Sequence, residues 1–297
     1  MLALGAAAML PPKAGPRGLF GAPRGVHCAG VSEPTPPAAP PRAPTLRVER
    51  LVRRYGDLLA VDQLSFDLYP GEILGLVGAN GAGKTSTLRT VAGVLPIQSG
   101  RILVAGHDLG REELAAKRLL AWVPDDPQPF DALTVEEHLR FTAELYRVRD
   151  PWPLAESLLE RFELSHKRSA LGGELSRGMR QKLAFCCAFL SQPRLVLLDE
   201  PLSGLDPRGI RAAREAILEQ ARAGVAVLLS SHQLELVEAL ATRLLILDRG
   251  RARFDGPLEQ GLAQVSAGSL EDLYFALTAE GQGRGEGAAP SAREPAG

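Results

Sequence analysis

The segment GANGAGKT, from Gly78 to Thr85, has the spacing of a phosphate-binding loop, G-x-x-x-x-G-K-[ST]. The strand candidate EILGLV precedes it and residues with helical spacing follow it, which is the context that such a loop requires. Its glycines let backbone N–H groups turn inward around a β-phosphate, and the helix N-terminus adds partial positive charge. Lys84 can then reach the β- and γ-phosphates, and Thr85 can offer its hydroxyl to Mg²⁺. The segment therefore predicts binding of a nucleoside triphosphate.

Two carboxylates follow the apolar strand candidate RLVLLDEP, at Asp199 and Glu200. An apolar strand tolerates carboxylates where they emerge at its carboxyl end, which is the edge that holds ligands in doubly wound sheets. There Asp199 would hold Mg²⁺ through water, and Glu200 would orient and polarise an attacking water. An Asp-Glu pair at a strand end is common, but beside a phosphate loop it predicts hydrolysis.

A third motif, LSRGM, lies about twenty residues before LLDEP and opens the helical segment RGMRQKLAFCCAFL. Ser176 and Gly178 would leave exposed N–H groups at the positive end of that helix, although a simple N-cap for its own helix is the alternative. With the two motifs above, this one gives a chain that resembles an ATP-binding-cassette nucleotide-binding subunit over about residues 46–256.

The resemblance implies a role for each matching residue. Glu200, His232 and Lys84 would be catalytic, and Thr85, Asp199 and Asp125 would hold Mg²⁺. By itself His232 would be an ordinary turn residue, and for Tyr55, which the family pattern stacks on adenine, core packing is the weaker alternative. The expected ATP contacts are Tyr55, Gly78, Ala79, Asn80, Gly81, Ala82, Gly83, Lys84, Thr85 and Ser86.

The resemblance also implies two chains. Each motif occurs once, so two ATP molecules would be sandwiched in a head-to-tail dimer, homomeric or heteromeric. The residues expected to face the ATP of the second subunit are Leu175, Ser176, Arg177, Gly178 and Met179, and those expected at the dimer contact are Ser203, Gly204, Leu205 and Asp206. A separate integral membrane protein is the expected partner, docked near residues 125–134 at the cytoplasmic face of the cell membrane.

Two positions depart from the family pattern. Asp125 stands where the family has a glutamine, and Gln128 lies three residues further on. A carboxylate can coordinate Mg²⁺ but donates no hydrogen bond unless it is protonated. Arg177 and Met179 replace residues of the LSGGQ form, and the resulting SRGMRQ resembles the exporter-like branch. Export is therefore favoured, while uptake stays open.

Composition excludes several other functions. The 34 basic and 35 acidic residues give a net charge of −1, so no global positive field supports sequence-general nucleic-acid binding. Cys28, Cys186 and Cys187 have neither disulfide nor metal-site spacing, and the adjacent pair is expected to be buried. No apolar run reaches the length of a membrane-spanning helix.

Alternating strands and helices predict an α/β fold: a phosphate-loop NTPase core with a mostly parallel sheet, small antiparallel strands and an inserted helical subdomain. The Pro-, Ala- and Gly-rich start is expected to be a disordered arm or the result of a start codon assigned too early, with a transit peptide as the weaker alternative. The predicted divisions are the arm at 1–44, the nucleotide-binding domain at 45–260 with its helical subdomain at about 122–180, and an extension at 261–297, disordered from about 280.

The sequence thus predicts an ATPase subunit that powers a transporter. A soluble cassette ATPase acting on ribosomes or DNA is the first alternative, but those proteins usually carry two cassettes or a long coiled-coil insertion. A catalytically idle regulatory cassette is the second, but it would normally lose Glu200, Lys84 or His232, and all three are present.

Overall fold

The computed structural model describes residues 43–265 and 268–282. Residues 1–42 of the predicted arm, with Cys28, and the tail beyond 282 lie outside this range. The strands are β1 Leu46–Tyr55, β2 Leu58–Leu68, β3 Ile73–Gly78, β4 Ser99–Val104, β5 His107–Asp108, β6 Leu120–Val123, β7 Leu195–Asp199, β8 Ala226–Ser230, β9 Arg243–Asp248 and β10 Arg251–Pro257. The α-helices are α1 Lys84–Val91, α2 Glu113–Lys117, α3 Val135–Tyr146, α4 Trp152–Arg161, α5 Arg177–Leu190, α6 Pro207–Arg222, α7 Leu234–Leu240, α8 Leu258–Gln264 and α9 Leu270–Gln282.

A six-stranded sheet forms the centre of the fold, in the order β10-β9-β3-β8-β7-β6. All its neighbouring pairs are parallel except β10 with β9. Every residue of β7 and β8 is buried, because α5 and α6 cover one face of the parallel part and α1 with the strands β1 and β2 covers the other. These two apolar strands are therefore confirmed as the buried strands that their sequences predict.

A four-stranded antiparallel sheet, in the order β2-β1-β4-β5, supplies the predicted small strands. The β4–β5 hairpin turns at Ala105 and Gly106, which both have positive φ, of 47° and 89°. Two such residues form the tight turn whose twist matches that of the flanking strands. The hairpin predicted in SGRILVAGHDL is confirmed.

The helices α3 and α4 pack on α5 in the segment between β6 and β7. The fully buried rings of Phe162 and Phe185 stack there, with centroids 5.4 Å apart. The predicted capping box is present: the Thr134 side chain accepts from Glu137 N, and the Glu137 carboxylate accepts from Thr134 N. The bounds of this helical subdomain, about 122–180, stay a prediction. Trp122 lies in β6, paired with β7 in the central sheet, and α5 continues to Leu190.

The sequence patterns do not predict the strand β10 or the helix α9. The edge strand β10 buries only Phe254 and Gly256, so its charged sequence shows little strand periodicity. The helix α9 buries Leu270 and Leu273, and Leu270 N donates to a carboxylate oxygen of Glu238 in α7 at 3.1 Å. Within residues 43–265 and 268–282, no helix is both long and apolar enough to cross a bilayer.

The adjacent cysteines of α5 are unpaired thiols, as predicted. Cys186 is fully buried, and burial raises its pKa well above the usual value. Cys187 keeps some exposed surface, yet its sulfur is enclosed enough that desolvation raises its pKa to about 11. Both groups are therefore protonated near neutral pH, and the pair acts as packing rather than as chemistry.

Candidate functional site

The parallel register brings the motifs to one edge of the central sheet. In this ladder Leu76 of β3 lies opposite Ser230 of β8, and Ser230 lies opposite Asp199 of β7. The strands β7 and β8 therefore end at the same level and β3 ends two residues further on, so the loop of Gly78–Thr85 leaves β3 beside the carboxylates. This is the carboxyl edge at which open α/β sheets bind ligands.

The phosphate loop depends on glycine at positions where its backbone is crowded. Gly83 has a φ of +105°, and an added Cβ would lie 2.3 Å from the Ala60 carbonyl oxygen. An added Cβ at Gly78 would lie 2.6 Å from the carbonyl oxygen of Leu247. The loop therefore sits directly against neighbouring backbone, and its shape is fixed before any phosphate arrives.

Lys84 is folded back onto this loop. Its Nζ donates to the Gly78 carbonyl oxygen at 2.7 Å and to the Ala79 carbonyl oxygen at 3.1 Å. Burial lowers the pKa of the ammonium group, while Glu200 and Asp199 oppose that change. A buried ammonium that bonds only to neutral carbonyls gains greatly from an anionic partner, so the lysine suits a phosphate ligand.

Thr85 and Asp199 face each other across the edge, with Thr85 Oγ1 at 3.5 Å from Asp199 Oδ1. Ser230 Oγ donates to the same carboxylate oxygen at 2.7 Å. Burial raises the pKa of Asp199, and the nearby negative charges of Glu200 and Asp125 raise it further. A hydroxyl and carboxylates in this arrangement form the oxygen donor set that Mg²⁺ prefers, so these residues fit that ion.

Glu200 and His232 form a pair beside this group. The His232 backbone N–H donates to Glu200 Oε1 at 2.8 Å, and Nδ1 of the ring lies 2.8 Å from Oε2. Ser231 Oγ donates to the same carboxylate at 3.0 Å. Glu200 has a φ of 47°, a left-handed conformation that costs on the order of 1 kcal/mol for a non-glycine residue. Its three bonds to the end of β8 hold it there.

Tyr55 is an exposed aromatic rather than a core residue. Its surface is 44% exposed, and its hydroxyl lies 3.4 Å from Ser86 Oγ. The Arg53 guanidinium covers the ring at 4.8 Å from its centroid. The core-packing interpretation of Tyr55 is thus wrong, and an aromatic ring remains open to stacking near the phosphate loop.

In the described part of the chain, the LSRGM turn contacts residues of α5 and of the Ser203–Asp206 loop rather than the phosphate loop. Ser176 is the N-cap of α5 and accepts from Met179 N at 3.3 Å. An added Cβ at Gly178 would lie 2.6 Å from the carbonyl oxygen of Gly204, so the turn packs on the Ser203–Asp206 loop. Within the described ranges, no hydrogen bond or ion pair joins this turn to the phosphate loop of the same chain.

The remaining predicted residues form hydrogen bonds or ion pairs with side chains and backbone groups outside the strand edge. Asp206 caps α6 by accepting from Gly209 N, and Lys182 lies 3.0 Å from its carboxylate. Gln128 donates to the Asp126 carboxylate at 2.7 Å, so it does not replace the family glutamine. Asp125 instead binds Arg177, at 3.2 Å.

Sequence reasoning missed the serines that anchor the two carboxylates. Ser230 bonds Asp199, and Ser231 bonds Glu200. A pair of hydroxyls closing the apolar strand VAVLLSS is the pattern that could have identified them, because buried polar groups at a strand end need a partner.

Comparison with known proteins agrees with this geometry. A family model described as "ABC transporter" matches residues 61–203. The ABC-type transporter ATP-binding protein EcsA of Bacillus subtilis is 33% identical over 242 residues, which cover 80% of this chain and 98% of EcsA. A solved structure of an ATP-binding subunit of an ABC transporter is 34% identical, with a TM-score of 0.76, over 79% of this chain and 99% of that one. The chain belongs to the ABC transporter ATP-binding proteins.

This ABC transporter ATP-binding protein is also similar to cassettes within much larger proteins. It is 39% identical over 211 residues to human "Phospholipid-transporting ATPase ABCA7", which covers 70% of this chain and 10% of that protein. ABC ATP-binding domains are ATPases in general, and they bind ATP with Mg²⁺.

The buried Asp199 carboxylate predicts a gain in stability when its charge is removed. Because its folded pKa is raised, the ionised form destabilises the nucleotide-free protein at neutral pH. We expect Asp199→Asn to increase the free energy of unfolding by about 0.5–2 kcal/mol at pH 7.5 in denaturant titrations. The gain should shrink as the pH falls and wild-type Asp199 becomes protonated.

Asp206→Asn is the matched control. Lys182 lowers the pKa of Asp206, so its ionised form stabilises the fold above the unfolded-state pKa, and the asparagine variant should be less stable at pH 7.5. A loss of stability in Asp199→Asn, or a gain that is constant with pH, would contradict the conclusion that the ionised Asp199 carboxylate destabilises the nucleotide-free protein.

Proposed function

We propose that this ATP-binding protein hydrolyses ATP at the strand edge of Thr85, Asp199 and Glu200, and that the cycle drives a separate membrane protein. The observation that carries the proposal is the 3.5 Å approach of Thr85 Oγ1 to Asp199 Oδ1, with the Glu200–His232 pair beside it. Nucleophile activation, metal ligation and phosphate binding then share one edge. The ATPase activity general to the family supports the same conclusion.

Each side chain has a distinct part in the proposed reaction. Lys84 leaves the Gly78 and Ala79 carbonyl oxygens and binds the β- and γ-phosphates, which satisfies its buried charge. Glu200 orients a water by accepting a hydrogen bond from it. His232, which is hydrogen-bonded to the same carboxylate, contacts the γ-phosphate. Thr85 and Asp199 would hold Mg²⁺, which would supply positive charge opposite the phosphates.

Asn80 and Ser86 complete the proposed contacts. The backbone N–H groups from Gly78 to Ser86 surround the phosphates, and Tyr55 stacks on adenine from the open side of its ring. The 44% exposure of Tyr55 supports this role, since a stacking ring must be reachable from solvent.

The proposal includes a second copy or a related chain. The N–H groups at the start of α5 carry the positive end of its dipole, and no contact of the described residues turns them toward the phosphate loop of their own chain. In a head-to-tail dimer, Ser176 and Gly178 bind the γ-phosphate of the opposite ATP. The Ser203–Asp206 loop, which packs under Gly178, forms the adjoining subunit contact.

An apolar patch supports docking of a membrane protein. Phe130, Phe141 and Leu145 are 59%, 46% and 58% exposed, and the two phenylalanine rings meet edge to face at 5.7 Å. We call these three residues the docking patch. A cavity of about 300 Å³ adjoins it, lined by Trp122, Pro127 and Tyr146 among others. An amphipathic cytoplasmic helix fits such a surface by burying its apolar face there.

His138 fixes the shape of the docking patch. Its Nδ1 lies 2.7 Å from the Thr134 carbonyl oxygen, and its Nε2 accepts from Phe130 N at 2.9 Å. These partners define a neutral ring with its proton on Nδ1. The loop that carries Phe130 is thereby held against α3, which supports a preformed surface at the membrane rather than a free loop.

Export is the proposed direction. It rests on SRGMRQ at residues 176–181, which resembles the exporter-like branch. Uptake is the competing direction, and the cargo is determined by the membrane protein. Action on ribosomes or DNA is less well supported, because the net charge of −1 supplies no general attraction for phosphate backbones.

Glu200→Gln tests hydrolysis and dimerisation together. The amide keeps the shape of the side chain but cannot take up a proton, so we expect ATP binding to persist while turnover falls by about 10²–10⁴-fold. Trapped ATP should hold a dimer that elutes early in size-exclusion chromatography with ATP and Mg²⁺. Lys84→Ala in the same background is the control and should remain monomeric. Normal turnover in Glu200→Gln would disprove the catalytic assignment.

Phe141→Ser tests the docking patch. We expect it to reduce the amount of chain retained on washed membranes from cells that also make the membrane partner, while the purified variant binds ATP as the wild type does. Phe275→Ser, which changes an aromatic residue of α9 that is 58% exposed, is the matched control and should be retained normally. Equal retention of both variants would rule out the patch.

A further inference from the structure

The first turn of α5 is tied to two loops of its own chain. Arg177, Arg180 and Gln181 share one face of the helix, since they are spaced by three and four residues. Buried Gln181 donates to the carbonyl oxygens of Pro124 at 3.4 Å and of Pro201 at 3.1 Å. The helix start is therefore fixed both to the loop after β6 and to the loop after β7.

Arg177 makes the corresponding contacts at the surface. Its Nη2 donates to Asp125 Oδ1 at 3.2 Å and to Ser203 Oγ at 2.9 Å. Its side chain also lies along Gly204, where an added Cβ would be 3.3 Å from Arg177 Cδ. A single guanidinium thus joins the LSRGM turn, the expected dimer loop and the acidic residue after β6.

The two members of this ion pair are departures from the family pattern, each charged where that pattern has a neutral residue. Asp125 adds a negative charge and Arg177 adds a positive one, so their pairing leaves the local net charge unchanged. Asp125 also acts on the carboxylates of the strand edge, because its charge contributes to the raised pKa of Asp199. Without Arg177, the Asp125 carboxylate would add an uncompensated negative charge close to Asp199.

We propose that Arg177 is the positioning residue for Asp125, and that the Asp125 carboxylate exchanges this arginine for Mg²⁺ when ATP binds. The inference rests on the proposed function, since it assumes that Mg²⁺ and ATP meet at Thr85 and Asp199. The exchange breaks the surface contact between Arg177 and the loop after β6, while the contact of Gln181 with that loop remains. Metal binding in one site thereby alters the contacts of the turn that faces the second subunit.

The strength of the pair suits an exchange. Both side chains are 50% exposed, so water and salt weaken their attraction, and neither charge is left buried when the pair separates. Carboxylate oxygens are preferred ligands of Mg²⁺, so Asp125 gains a divalent partner in place of a monovalent one. Gln181 keeps α5 attached to both loops while the surface pair opens.

The test compares wild type, Arg177→Gln, Asp125→Asn and the double variant. Binding of a fluorescent, non-hydrolysable ATP analogue is titrated with Mg²⁺, at a chain concentration at which light scattering shows a monomer, so that no second subunit contributes. Arg177→Gln should lower the Mg²⁺ concentration at half-saturation by about two- to fivefold, the coupling expected of a half-exposed ion pair. Asp125→Asn should raise it.

The double variant decides the mechanism. In the Asp125→Asn background, Arg177→Gln should have no effect on Mg²⁺ dependence, because the carboxylate for which arginine and metal compete is absent. Arg180→Gln, on the same helix face but 3.8 Å from Asp126, is the control and should shift it by less than about twofold. Thermal melts confirm that each variant is folded.

Two results would overturn the inference: an unchanged Mg²⁺ requirement in Arg177→Gln, or the same shift in the presence and absence of Asp125. Either result leaves binding of the analogue by the wild type intact, and with it the proposed function. Absence of analogue binding by the wild type at saturating Mg²⁺ is a different outcome, and it would reject the proposed function itself together with the exchange.

Discussion

The parallel register of β3, β8 and β7 is the constraint on which the rest of the structure depends. Hydrogen bonding of neighbouring strands places Leu76, Ser230 and Asp199 side by side, so three segments far apart in the chain end within two residues of each other at one edge. The phosphate loop begins at the last residue of β3, the acidic pair spans the end of β7, and His232 is the second residue after β8. A one-residue slip would turn each side chain to the other face and separate Thr85 from Asp199.

Charge is the second constraint, because the same edge gathers Asp125, Asp199 and Glu200. Each carboxylate has a compensating contact: Arg177 for Asp125, Ser230 for Asp199, and Ser231 with His232 for Glu200. Lys84 adds a buried positive charge held by neutral carbonyl oxygens. These contacts hold the charged side chains in place without ATP, but Asp199, Glu200 and the Lys84 ammonium still lack partners of full opposite charge among the described residues. Mg²⁺ would supply positive charge to the carboxylates, and the triphosphate would supply negative charge to Lys84.

Local chemistry explains which parts of this arrangement the sequence predicts. The loop of Gly78–Thr85, the capping box at Thr134 and the apolar strand before Asp199 each carry a recognisable local residue pattern, so the sequence suffices to predict them even where distant backbone packs against them. The edge strand β10 and the helix α9 depend on distant partners, and their own sequences carry little periodicity. Likewise, Asp125 and Arg177 are two unconnected departures from the family pattern in the sequence, and only the fold places their charged groups 3.2 Å apart.

The most direct test of the account is calorimetric titration of the wild-type chain with ATP, ADP and adenosine, each with and without Mg²⁺. If the strand edge holds a triphosphate, ATP binds once per chain, more tightly with Mg²⁺ than without it, and adenosine binds far more weakly than either nucleotide. Equal affinity for adenosine and ATP, or no binding of ATP in the presence of Mg²⁺, would contradict the central claim.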